Sequence, residues 1–87
     1  MSKNLPALKP KEVIAVLERA GFVLKRQNGS HAILYKPDIH HPVTVPMHTG
    51  DLPIGTLRAI IRQSNLTVDE FVSLFSSSKI NKLSSSE

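Results

Sequence analysis

The chain has 87 residues, enough for one small domain, and a net charge of +4. Leu, Ile, Val and Phe make up nearly a third of it, above the ~20% below which chains tend to stay disordered, so a small core is expected. The absence of cysteine excludes a disulfide framework, Cys-based zinc or iron–sulfur sites and a thiol nucleophile. No apolar run approaches the ~18–20 residues of a membrane-spanning helix, and MSKNLPALKPKE lacks the apolar stretch of a signal peptide, so a cytoplasmic protein with no membrane partner is expected.

Pro10 to Ala20 reads as a helix. Proline suits a first helical position, and Val13, Val16, Leu17 and Ala20 form one apolar stripe. Gly21 fits a left-handed C-terminal cap, with Phe22 packing back onto Leu17. The next segment, FVLKRQNGSHAILYK, reads as a β-hairpin. Asn28-Gly29 is a preferred two-residue turn in which both residues take positive φ. That turn sets Arg26 across from His31, Leu24 across from Ile33 and Phe22 across from Tyr35. The face holding these six is apolar except near the turn, so it is expected to meet the helices. Val23, Lys25, Gln27, Ser30, Ala32, Leu34 and Lys36 fall on the opposite face.

Pro37 to Pro42 reads as a loop holding His40 and His41, and Val43-Thr44-Val45 as a third strand stopped by Pro46. A further loop carries His48. Asp51 is placed to cap a helix beginning at Pro53 and burying Ile54, Leu57, Ile60 and Ile61, with Arg58 and Arg62 on another face. Asn65 suits a left-handed helix end. Thr67-Val68-Asp69-Glu70 is a capping box for a last short helix running to about Phe75 and burying Val68, Phe71, Val72 and Phe75. The Ser-rich segment beyond it is expected to be loose. The expected order is α-β-β-β-α with a short C-terminal helix. Helices gather on one face of a three-stranded antiparallel sheet in an α+β domain. Residues 1–75 form the domain and 76–87 a flexible tail.

No Gly-rich phosphate loop, G-x-S-x-G elbow or H-E-x-x-H motif is present. Charge is uneven: residues 1–36 carry seven Lys or Arg against two Glu, whereas the remainder carries four against five acids. A basic half suggests an anionic partner, nucleic acid first. The alternative is an ordinary solubilising surface. With one tyrosine and no tryptophan, an extended aromatic platform for single strands is not expected. His31 stands out at the hairpin mouth, near Lys25, Arg26, Gly29 and Ser30. Imidazole takes up and releases a proton near neutral pH, and nearby cations bind phosphate and offset charge developing on it. RNA supplies its own nucleophile, the 2′-hydroxyl. Against this stands a histidine merely filling a β position. His48, in a loop between strand and helix, is a candidate second proton-transfer group or a solvated loop histidine. His40, His41 and His48 do not match a standard metal-ligand spacing, so no metal or other cofactor is expected. Lys25, Arg26, Lys36, Arg58 and Arg62 form either one basic surface or ordinary surface charge.

These residues resemble the HicA (YcfA) toxins of bacterial toxin–antitoxin systems over roughly residues 8–75. The likeness rests on Gly21-Phe22, Arg26-Gln27, Gly29-Ser30-His31, Val45-Pro46 with His48, and Gly55-Thr56-Leu57-Arg58 with Ile61. It implies a double-stranded-RNA-binding-domain-like fold and an mRNA interferase acting without a metal in stress response. It also implies a HicB-type antitoxin as partner. The histidine of Gly-Ser-His, here His31, would be catalytic. Lys25, Arg26, Gly29, Ser30, Lys36, His48 and Arg58 would bind RNA. Many members carry basic residues where this chain has Asp51-Leu52-Pro53-Ile54. A non-catalytic RNA-binding module of the same fold, reading 2′-hydroxyls and phosphates, is the alternative.

Overall fold

The structure is a computed structural model that describes residues 5–47 and 50–84, with side chains described through residue 76. Its elements are α1 (Pro10–Arg19), β1 (Val23–Asn28), β2 (His31–Lys36), β3 (Ile39–Pro46), α2 (Ile54–Gln63) and α3 (Val68–Ser84). The sheet is antiparallel in the order β1-β2-β3, so β2 is central. α1 and α2 pack on the sheet, and α3 packs on both helices. This is the expected α+β arrangement of a double-stranded-RNA-binding-like fold.

The helix ends follow local rules. Lys9 N–H donates to Glu12 Oε1 at 2.8 Å, tying down the start of α1. At its end Gly21 takes φ +105°, Gly21 N–H donates to Glu18 O and Phe22 N–H to Leu17 O, both at 3.0 Å. That pair of bonds is a Schellman cap. A Cβ on Gly21 would also lie 3.2 Å from Lys36 Cε, so glycine answers both a backbone and a space requirement. α2 ends the same way with asparagine: Asn65 has φ 63°, its N–H donates to Arg62 O, and Leu66 N–H donates to Ile61 O. The capping box of α3 is complete, with Thr67 N–H donating to Glu70 Oε1 and Glu70 N–H to Thr67 Oγ1. Asp51 does not cap α2; the N-cap residue is Pro53, without a side-chain bond. α3 also continues past Phe75 to Ser84.

The core lies between helices and sheet. Val13, Val16 and Leu17 of α1, Leu57, Ile60 and Ile61 of α2 and Phe71 of α3 close over Ala32, Leu34, Val43 and Val45. Each large side chain so buried contributes ~1.5–3 kcal/mol. Ile54 departs from the expected stripe: at the first turn of α2 it stays 53% exposed.

The hairpin phase differs from the sequence expectation. Asn28 pairs with His31, Gln27 with Ala32 and Arg26 with Ile33, leaving Gly29 and Ser30 as the turn. Neither Asn28 nor Gly29 has positive φ. The register then shifts between Leu24 and Arg26, so that Leu24 pairs with Leu34 and Val23 with Tyr35. A one-residue slip exchanges the two faces of a strand. Here it sends Ala32 and Leu34 to the core and His31, Ile33 and Tyr35 to the other face, the reverse of the expected assignment. The bulge at Lys25 changes the phase within β1, so Leu24 packs on the core while Arg26 joins the outer face. β3 is also longer than expected and includes His40, His41 and Pro42. It is an edge strand, where a proline's missing N–H can face solvent.

Deleting Lys25 would join Leu24 directly to Arg26, and regular pairing with Leu34 and Ile33 would still turn the leucine inward and the arginine outward. The deletion variant should therefore fold, with its unfolding free energy within about 1 kcal/mol of the parent by urea titration. Failure to fold would show that Lys25 does more than set the phase of β1.

Candidate nucleic-acid interface

Helices cover one side of the sheet and leave the other open. Along central strand β2 the open side carries His31, Ile33 and Tyr35, two residues apart. Asn28 stands opposite His31 on β1 and Pro46 opposite it on β3. Arg26 and Thr44 flank Ile33 in the same way. Arg26 is therefore diagonal to His31, a separation of ~7–8 Å between backbones that a long side chain spans. The expected direct Arg26–His31 pairing is replaced by Asn28–His31 because the turn lies one residue later.

His31 is exposed, at the start of β2 beside the turn. Ser30 Oγ and His31 Nδ1 share a hydrogen bond of 3.2 Å. If the hydroxyl donates, the ring proton sits on Nε2. If Nδ1–H donates, Nε2 presents a lone pair. In both cases the bond occupies Nδ1 and leaves Nε2 for an incoming group. Met47 N–H donates to Ser30 O at 2.8 Å and ties the turn to the end of β3. Gly29 is exposed, has ordinary φ, and a Cβ there would meet nothing within 4 Å. The fold itself does not demand glycine at this place. A backbone or ligand approaching the turn closely is what a missing side chain would favour.

Farther along the open side lies a concavity of about 700 Å³. Val23, Ile33, Tyr35 and Pro37 give it apolar and aromatic walls, and Lys25, Arg26 and Lys36 give it three cations. Lys25 and Arg26 make no ion pair among the described residues. Lys36 is half-buried, with Nζ 5.8 Å from the Phe22 ring centroid in a cation–π contact. Arg26 and His31 thus share one strip of the open side with the Gly29-Ser30 turn, Lys25 and Arg26 line its hollow, and Lys36 reaches that hollow from beside Phe22.

Arg58 is not part of that strip. With Arg62 it lines a separate concavity of about 270 Å³ at the corner of α2 and α3, beside Ile61 and Leu66. His48 lies outside the described residues. Among the described residues no three His, Asp or Glu side chains converge as metal ligands. Sequence reasoning missed Tyr35, which is 43% exposed on the open face rather than turned toward the helices, whereas Val23 is 52% exposed, on the outer side where it was expected. It also missed the Ser30–His31 bond. The phase of β2, set by burying Ala32 and Leu34, decides the first point, and no local residue pattern announces it.

Residues 10–66 match the family model described as the HicA toxin of bacterial toxin-antitoxin. The chain belongs to the HicA toxin family. As a HicA-family protein it is the toxin of a toxin–antitoxin pair, in a family of ribonuclease toxins, and a cognate antitoxin is implied. A search among curated proteins gives no significant match. Among the described residues no helix is long and apolar enough to cross a membrane. The HicA match spans α1 through Leu66, so it includes the whole sheet with its open face.

Replacing Ser30 with alanine should leave stability within about 0.5 kcal/mol, as for an exposed position. The tautomer ratio of His31, read from its ring ¹⁵N shifts, should change. An unaltered ratio would mean that Ser30 does not orient the ring.

Proposed function

We propose that this HicA-family protein is an mRNA endoribonuclease that cuts by metal-independent acid–base chemistry, with His31 as its catalytic residue. The observation carrying this reading is His31 itself: exposed on the central strand, held through Nδ1 by Ser30, with Nε2 free and cations on the same face. The RNA 2′-hydroxyl attacks the adjacent phosphorus and expels the 5′-oxygen. His31 Nε2 either takes the proton from the nucleophile or delivers one to the leaving oxygen. No metal is needed to generate a nucleophile that the substrate already carries. The second proton transfer needs another group, for which His48 is our candidate.

Arg26, diagonal to His31, offsets charge building on the phosphorane, and Lys25 and Lys36 hold flanking phosphates. Gly29 and Ser30 let the backbone come close to the turn. Arg58, on its separate corner, contacts RNA away from the cut. The working unit is residues 1–75, with 76–87 a Ser-rich tail, acting in the cytoplasm as part of a stress response. The partner is a HicB-type antitoxin, which silences the toxin by covering the open sheet face. A small chain with an exposed site is readily inhibited this way, because RNA and antitoxin compete for the same cations.

His31→Ala should keep its melting temperature and lose about 10²–10⁴ in cleavage rate, measured on a labelled RNA. A folded variant cutting like wild type would favour the alternative, a non-catalytic RNA-binding module. With the same variant holding uncut RNA, added antitoxin should displace the RNA in a competition titration. A stable ternary complex with unchanged RNA affinity would refute occlusion.

A further inference from the structure

The concavity on the open face does not contain His31. Its β2 residues begin at Ile33, and Tyr35 stands four residues along the strand from His31. At ~3.3 Å per residue that is ~13 Å. A stacked strand advances ~3.4 Å per nucleotide and an extended one more, so ~13 Å corresponds to roughly two to four nucleotides. The composition of the concavity is that of a nucleotide site. An aromatic ring sits among apolar walls, and Lys25, Arg26 and Lys36 line the same hollow with no acidic side chain among its lining residues. Stacking on an aromatic side chain requires an unpaired base, because the π-faces within a duplex are already covered.

Resting on the ribonuclease reading above, we propose that this concavity is a subsite for one unpaired nucleotide of the RNA, a few nucleotides from the cut. Its base stacks on Tyr35, and Lys25 and Arg26 hold the adjoining phosphates. The subsite fixes the register of the strand on the sheet, and so selects which phosphate reaches His31. It makes single-stranded RNA the substrate, even though the fold is of a type associated with duplex binding. It is one stacking contact rather than a platform, in keeping with the chain's lone tyrosine.

That lone tyrosine, in a chain without tryptophan, makes intrinsic emission a report on Tyr35 alone. The experiment uses the His31→Ala protein, which should hold RNA uncut, and a short unstructured oligoribonucleotide of mixed sequence. Saturating RNA should quench the tyrosine emission, whereas a fully paired RNA duplex should leave it unchanged. Scanning an abasic ribose along the oligonucleotide should reveal one position where quenching is lost and affinity falls about 5- to 100-fold. Tyr35→Ala should show the same loss of affinity and be indifferent to the abasic substitution at that position. Tyr35→Phe should restore the affinity. In the cleaving protein, Tyr35→Ala should raise KM far more than it lowers kcat. Because Tyr35 is 43% exposed and outside the core, both variants should melt like the parent.

Tyrosine emission indifferent to saturating RNA, with Tyr35→Ala binding as tightly as the parent, would overturn the subsite. So would loss of antitoxin binding alone in Tyr35→Ala, which would assign the face to a protein partner. If the protein with His31 intact fails to cut RNA while the quenching and abasic pattern persist, the subsite stands and the nuclease reading falls.

Discussion

The bulge at Lys25 sets the phase of the β1–β2 pair, and the working surface depends on that phase. Leu24 and Leu34 form one cross-strand pair on the core side, and Arg26 and Ile33 form the next pair on the open side. In a regular strand Leu24 and Arg26 would share a face, and a cation would have to enter the core or a leucine leave it. The extra residue removes the conflict. It also places Lys25 itself beside Arg26 in the concavity, so the irregularity adds a cation to the hollow as well as a change of face.

A sheet covered by helices on one side only has one dry face and one wet face. On this wet face Val23, Ile33 and Tyr35 remain among polar neighbours instead of in the core. Isolated exposed apolar residues are ordinary, but three that line one hollow with three cations suit a partner that is flat, apolar on its faces and anionic along its edge. A strand of nucleotides has that character. The histidine lies at one end of the face and the hollow along its length, an arrangement suited to a linear substrate.

What could be read from the sequence was what is decided within a few residues. Gly21 and Asn65 end their helices in the left-handed conformation, and Thr67 with Glu70 closes a capping box, because each motif is satisfied by its own neighbours. The element order and one-sided packing followed from those ends and the apolar stripes between them. The register did not. Asn28-Gly29 carries a strong local preference for a tight turn, yet the chain turns at Gly29-Ser30 without positive φ. That choice lets Ala32 and Leu34, with Val43 and Val45 beside them, fill the core, and the gain is spread over residues distant in sequence. His31 was legible as a candidate because a histidine beside Gly-Ser in a basic hairpin stands out chemically. Tyr35 was not, because its face was decided by packing.

The small size of the domain bears on how the site is built. A chain this short buries a smaller share of its surface than a larger domain does, and His31 stays exposed. An imidazole at the surface rotates loosely unless a neighbouring group holds the ring. The hydrogen bond between Ser30 Oγ and His31 Nδ1 restricts the ring without burying it, and the bond from Met47 N–H to Ser30 O fixes the turn that carries both. Orientation comes from short-range bonds at the end of a rigid central strand rather than from a surrounding pocket. The same openness leaves the face accessible to any partner large enough to cover it.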